Sequence, residues 1–317
     1  MERFSLLRTL IRNYPNHQLP LDTGMISKLL SRMCVMLIVI SHGCARPAMA
    51  DKDSSFTDAD YAAHMEELKK KAPVDQFTII IVRPFVVIGD EAPHVVKRRA
   101  ENTVAWATRK LKQAYFSKDP QEIIDVWLFK DKDSYEQNTQ RLFAKKPDTP
   151  FGYFSHQDHA LVMNIATGGG TLVHEMVHAF MAANFPDGPV WFNEGLGSLY
   201  EQCGEENGQI HGLTNWRLAG LQKAIQAKEV PSFKTLCTAD IKEFYEKDKG
   251  INYAQARYLC YYLQEHGLLQ KFYKQFYDHR REDPAGFETL KKVLGRNDMD
   301  AFQRDWEEFV LKLRFPE

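Results

Sequence analysis

The chain predicts an α+β protein, with a strand-and-helix lobe over residues 76–166 passing into a mainly helical lobe over 167–317. Three observations carry that prediction. The runs QFTIIIVRPFVVIGD (76–90), EIIDVWLFK (122–130) and FGYFSHQDHALVMNIA (151–166) are rich in β-branched and aromatic residues and alternate with helical patterns. A Gly168-Gly169-Gly170 break then interrupts the chain. Beyond the break, apolar residues recur at helical spacing in nearly every stretch. With 44% hydrophobic and 26% charged residues, disorder and fibrous repeats are excluded.

The elements follow in order. Residues 1–50 read as an N-terminal extension and signal peptide: Lys28 and Arg32, the apolar stretch 33–45 (MCVMLIVISHGCA), then Ala48-Met49-Ala50 before the polar DKDSS. The apolar stretch is shorter than the ~18 residues of a spanning helix. Cleavage is expected after Ala50, giving a secreted or periplasmic chain with no stable membrane insertion; an uncleaved anchor is the alternative. Met25 would begin a signal of more usual length. Residues 51–75 hold a polar helix (58–71) and linker ahead of the folded core.

The run 76–90 reads as strand, bend and strand, with Arg83-Pro84 at the bend. Residues 93–117 place Val95, Val96, Ala100, Val104, Ala107, Leu111, Ala114 and Tyr115 at helical spacing, ending near Asp119-Pro120. A buried strand at 122–130 and a short helix at 133–143 follow. Residues 151–166 read as a hairpin turning at Gln157-Asp158. Its second half, 158–166, is either a sheet edge to which an extended peptide can add or an ordinary core strand. Helices are expected at 171–184, 190–202, 213–228, 238–247, 251–265, 267–279, 285–294 and 298–313.

The formal net charge of -1 gives no sign of a nucleic-acid or anionic-membrane partner. Removing the first fifty residues leaves 35 basic and 40 acidic side chains, a mildly acidic surface. Of five cysteines, Cys203, Cys237 and Cys260 lie beyond residue 50. Cys203 and Cys237, in loop-like surroundings, are the pair expected to form a disulfide, whereas Cys260 reads as a buried helix thiol. With no C-x-x-C pair, a thiolate zinc site is disfavoured.

The segment TLVHEMVHAF (171–180) contains His174-Glu175-Met176-Val177-His178. A helix advances ~100° per residue, so the two histidines lie one turn apart on nearly one face and can approach one tetrahedral ion. Glu175 lies beside them, able to reach a water at that ion. Val173, Met176, Val177 and Phe180 form a separate core-facing stripe; Thr171 can cap the helix start, and Asn184 marks its end. The structural alternative is a helix whose histidines are satisfied by ordinary hydrogen bonds.

Zinc needs a third protein ligand and an open position, and His₂Glu is an established set. After Pro186-Asp187-Gly188-Pro189, the segment WFNEGLGSLYE (191–201) reads as a second helix, antiparallel to the first, with Glu194 placed to supply that ligand. Gly195 and Gly197, poor helix formers, would let the two backbones come close. The alternative for Glu194 is an exposed first-turn residue interacting with the helix dipole. Glu201 and Ser198 are candidates for orienting the ligand helix, with a solvated face equally open for Glu201. His211 is a further possible donor, and His156 and His159 read as surface-turn residues.

HEMVH, followed after fifteen intervening residues by the glutamate of WFNEGLGSLYE, resembles the gluzincin zinc metallopeptidases of the MA clan. The second segment is similar to the W-L-N-E-G-F-A-S-Y-F-E run of the aminopeptidase N family. The wider chain, roughly 76–313, looks more like the bacterial peptidase MA-like domain proteins, with strands, a Gly-Tyr turn (Gly152-Tyr153), a zinc helix, a P-x-W-x-x-E-G helix and a helical tail.

The resemblance implies a zincin-like fold acting as one catalytic unit over 76–313, with one Zn(2+) per chain held by His174, His178 and Glu194. It further implies peptide-bond hydrolysis by a metal-bound water that Glu175 activates. Tyr253 stands where the resembling families carry a tyrosine that steadies the oxyanion; its alternative is packing on the core. The implied partner is a peptide or protein substrate. Two departures matter: the spacer before Glu194 is shorter than in the aminopeptidases of that group, and their G-x-M-E-N motif is replaced by MNIATGGG, so aminopeptidase specificity is not implied. The rival functions are a catalytically degenerate module that grips a protein or the cell wall, and a zinc hydrolase of a non-peptide amide.

Overall fold

The computed structural model describes residues 56–72, 75–147, 149–246 and 250–315. The signal-peptide reading of residues 1–50 lies outside the described residues. The chain is mixed α/β, built on a five-stranded sheet of order β1-β2-β3-β5-β4. Strands β1 (Thr78–Val82) and β2 (Phe85–Gly89) form an antiparallel pair around Arg83-Pro84, where the sequence places its bend. β2, β3 (Ile124–Phe129) and β5 (Ala160–Asn164) run parallel, and β4 (Gly152–Ser155) returns antiparallel to β5.

Every residue of the three parallel strands is buried, which is why they read as continuous apolar runs rather than as alternation. Alternate side chains serve two layers. Val86, Ile88, Trp127, Phe129 and Val162 meet helices α1 (Asp58–Lys71) and α4 (Lys132–Phe143) on one face. Thr57 closes a capping box with Asp60 at the start of α1, and Tyr61 and Leu68 anchor this mostly polar helix in the core.

On the other face Phe85, Val87, Val126, Leu128 and Leu161 meet α2 (Pro93–Arg99) and α3 (Trp106–Ala114). The stretch expected as one regular helix carries a π-helical segment, Ala100–Ala105, in its middle. The same apolar cluster continues through α5 (Gly170–Asn184) and α6 (Val190–Leu199) into α10 (Ile251–Glu265), α11 (Leu269–His279) and α13 (Met299–Lys312). One core therefore serves both the sheet and the C-terminal helices. Helices α7 (Arg217–Gln226), α8 (Phe233–Thr238), α9 (Ile241–Glu246) and α12 (Phe287–Leu294) complete that half.

Several expectations are corrected. Strand β5 has a partner on each side, so the alternative that made 158–166 an edge fails, and the edge strands are β4 beside it and β1 at the far side. A hairpin of β6 (Cys203–Glu206) and β7 (Gln209–Gly212) interrupts the nearly all-helical stretch. Helix α8 has no counterpart among the helices expected from periodicity. Cys203 and Cys237 are free thiols, one opening the hairpin and the other buried in α8, so no disulfide joins them. Gly169, not Thr171, occupies the cap position of α5, and no side chain bonds there. Among the described residues no helix is long and apolar enough to cross a membrane.

Candidate metal centre

Helix α5 leaves the sheet from β5 through a short 3-10 turn, Ile165–Thr167, and the glycine run. Its core stripe of Val173, Met176, Val177 and Phe180 is buried as the periodicity requires. Locked by that stripe, the helix turns His174 and His178 together towards α6, and their Nε2 atoms lie 2.8 Å apart. The α6 side chain between them is Glu194, only 3% exposed. Its Oε2 lies 3.3 Å from His174 Nε2 and its Oε1 3.6 Å from His178 Nε2. One ligand atom from each of the three residues falls within 4.8 Å of the others, so the group could hold a metal ion.

The glycines of α6 explain how it comes so near. A Cβ at Gly197 would sit 3.2 Å from His174 Nε2, so any side chain there would press on the ring. Gly195 has another duty than the one expected: a Cβ there would lie 2.9 Å from the Ala256 carbonyl oxygen, so it serves the contact with α10, not α5.

The outer nitrogens face acceptors. His178 Nδ1 is 3.0 Å from Asn193 Oδ1, and His174 Nδ1 is 3.3 Å from Glu201 Oε1. If both Nδ1 atoms carry the hydrogen, both Nε2 lone pairs face inward beside a carboxylate. Glu194 Oε2 is buried and has no hydrogen-bond partner among the described residues. Two imidazole nitrogens converging on a carboxylate oxygen that takes no donor are the chemistry of a cation site, and this ligand set fits zinc.

The local fields agree. Burial opposes a charge on His174, yet Glu194 and Glu201 outweigh it and raise its pKa to about 10. Burial likewise opposes ionisation of Glu194, but His178, His174 and the Tyr245 hydroxyl bring it down to about 2. Glu175, on the same turn of α5, is 8% exposed; its burial raises its pKa against the opposing pull of His178 and His174. A carboxyl with a raised pKa beside such a cluster is suited to exchanging a proton.

Around this group stand residues that motif reasoning misses. Tyr245 of α9 donates its hydroxyl to Glu194 Oε1 at 2.5 Å. Tyr253, the expected donor, packs its ring 5.8 Å from that of Tyr245 and 5.2 Å from that of Phe244. Glu201, a candidate orienting residue, does approach His174, and Arg217 and Asn215 bind its carboxylate. Ser198 is fully buried, and its carbonyl accepts from Arg257 Nε at 2.9 Å. His211 is held between Glu206 and Glu265, at 3.1 Å from each, on the hairpin. His156 and His159 are exposed on the β4–β5 turn.

Signals for these partners are faint. Asn193 adjoins Glu194 in sequence, but nothing in spacing ties Tyr245 or Arg217 to the histidines. Neither a scan of protein-family models nor a search of the curated proteins finds a match to this chain.

Proposed function

We propose that this protein is a zinc-dependent peptidase of the gluzincin type, with His174, His178 and Glu194 as the ligands of one Zn(2+). The supporting observation is the convergence of two Nε2 atoms 2.8 Å apart on a buried carboxylate oxygen that has no donor of its own among the described residues. Bound there, zinc would lower the pKa of a water towards ~7 and polarise a scissile carbonyl.

The remaining roles belong to the chain. Glu175 takes the proton of the attacking water and returns it to the leaving amine, a role suited to its raised pKa. A neutral phenol steadies the developing oxyanion by donating a hydrogen bond. We assign that role to Tyr253, because the hydroxyl of Tyr245, whose ring lies against it, already donates to the ligand carboxylate. An extended peptide would lie along β4, the sheet edge that packs against α5. The signal-like segment ending at Ala50 supports action outside the cytoplasm.

The test is elemental zinc content together with cleavage of unstructured peptides by wild type and Glu175→Gln. One zinc per chain in both proteins, with hydrolysis lost only in the variant, is the expected result. A variant that cleaves as fast as wild type would remove Glu175 from the mechanism. Zinc-loaded wild type that cleaves non-peptide amides but no peptide would move the substrate class.

A further inference from the structure

His174 faces a carboxylate at the very end of the second motif segment, held by residues beyond it. The carboxylate of Glu201, two residues beyond the end of α6, lies 3.3 Å from its Nδ1. That carboxylate is itself gripped on both oxygens. Arg217 donates from Nε to Oε2 at 3.0 Å and from Nη2 to Oε1 at 2.8 Å, and Asn215 Nδ2 donates to Oε2 at 3.1 Å. Such a two-pronged arginine bond fixes a carboxylate's plane as well as its place.

The clamp is buried: Arg217 is 7% exposed and Asn215 is 1% exposed. Asn215 is held in turn, its backbone N–H donating to the Tyr258 hydroxyl of α10 at 3.1 Å. The guanidinium of Arg217 lies 4.2 Å from the Trp216 ring and 5.2 Å from the Tyr253 ring. A surface ion pair would be free to swing, and this one is not. Burying it is expensive, and the structure holds it at the one histidine edge that faces away from the ligand cluster.

We propose that Glu201, clamped by Arg217 and Asn215, is a positioning residue that makes His174 present Nε2 to the metal and sets how tightly the metal is held. This rests on the metal centre proposed above. With its hydrogen on Nδ1, 3.3 Å from Glu201 Oε1, the ring keeps its lone pair on Nε2, and the fixed carboxylate favours that orientation about the Cβ–Cγ bond. Arg217 acts through Glu201 and touches no ligand.

Zinc affinity by chelator competition and the visible spectrum of the cobalt-substituted protein test this, in wild type, Glu201→Gln and Glu201→Gln/Arg217→Met. Glu201→Gln alone leaves a buried arginine without its partner and loses thermal stability. The double variant removes both charges and regains stability, so it keeps the test open if the single variant fails to fold. Both variants are expected to bind zinc about 10- to 100-fold more weakly and to shift the cobalt bands, because a histidine ligand has lost its outer partner. A purely structural role predicts that affinity returns with stability in the double variant. Wild-type affinity and an unchanged cobalt spectrum in the folded double variant would overturn the proposal while leaving the metal centre intact. Wild type that takes up no zinc would overturn both.

Discussion

A methyl group placed on Gly197 would sit 3.2 Å from Cδ2 and Nε2 of His174 and 3.3 Å from its Cε1. Carbon contacts are comfortable near ~3.5–4.0 Å, so the ring would have to retreat by a few tenths of an ångström. It has little room to do so, being 7% exposed, with His178 Nε2 2.8 Å from one edge and Glu201 3.3 Å from the other. Overpacking of this kind costs ~1–3 kcal/mol. Replacing glycine by alanine inside a helix returns ~1 kcal/mol. The metal-free Gly197→Ala protein should therefore lose ~0–2 kcal/mol, a fall in Tm of up to about 4 °C for a chain of this size.

Zinc should feel the change more strongly, since ligand distances tolerate only ~0.2 Å, and we expect at least a tenfold weaker Kd. Gly195→Ala is the contrast. Its methyl would lie 2.9 Å from the backbone oxygen of Ala256, which cannot swing aside, so α6 and α10 must part. That variant should lose more stability, about 3 kcal/mol or above, and less zinc affinity for each kcal/mol lost. Scanning calorimetry in chelator and zinc competition measure the two quantities separately. A Gly197→Ala protein with a raised Tm and wild-type zinc affinity would show that the ring yields freely and would refute the reasoning.

Three further outcomes follow from the same geometry. Tyr245→Phe removes the 2.5 Å bond to Glu194 Oε1 and should weaken zinc binding about tenfold, whereas Tyr253→Phe should not; equal affinities in chelator competition would contradict the assignment. In the metal-free protein, the raised pKa of His174 stabilises the fold fully below 6.5 and is lost as pH climbs towards about 10; the lowered pKa of Glu194 stabilises above 4.5 and is lost as pH falls towards about 2. Chelator-treated protein should accordingly show a falling Tm above pH 6.5, a slope that bound zinc abolishes by occupying Nε2; a flat metal-free profile to pH 9 would argue against the His174–carboxylate pairing. Thiol titration in denaturant, without reductant, should find Cys203, Cys237 and Cys260 all reactive and thus three thiols in a chain cleaved after Ala50 against five in an uncleaved one; a single thiol would mean that a disulfide forms after all.

The helix that carries His174 and His178 is legible because its signal is local. The spacing of His174 and His178 and the stripe from Val173 to Phe180 both come from a single helical period, and α5 runs from Gly170 to Asn184. Helix α10 likewise spans Ile251–Glu265, the stretch its apolar spacing predicts. The hairpin escapes such reading although Asn207-Gly208 sits at its tip with φ of 50° and 79°, the backbone that a two-residue turn demands. Its strands, CGEE and QIHG, carry too few β-formers to register as strands, so the turn residues are the only cue. The π-helical segment at Ala100–Ala105 escapes because its apolar residues still recur at three or four positions. Tyr245 is 51 residues from Glu194 in sequence, and Arg217 is 16 from Glu201. Periodicity reports which face of a helix is buried, never which distant side chain will meet it.

That division has a physical consequence for the site. The motif segments supply the proposed ligands, and elements outside them hold the groups that surround those ligands. Arg257 of α10 donates to the Ser198 carbonyl at 2.9 Å and to those of Leu199 and Leu213, placing a cation at the C-terminus of α6 where the helix dipole favours one. By tying Leu213 to that helix end, it also holds the loop that delivers Asn215 and Arg217 to Glu201. The same loop and α7 are tied to α13 and the residues just after it, with Thr214 Oγ1 donating to the Arg314 carbonyl at 2.9 Å and Gln222 Nε2 to that of Val310 at 2.9 Å. The chain of contacts around His174 and Glu201 thus extends from residue 174 to residue 314. Metal affinity and global folding should consequently be coupled in this chain: loosening the C-terminal half costs zinc binding without any ligand being touched, and bound zinc stabilises helices that never approach it.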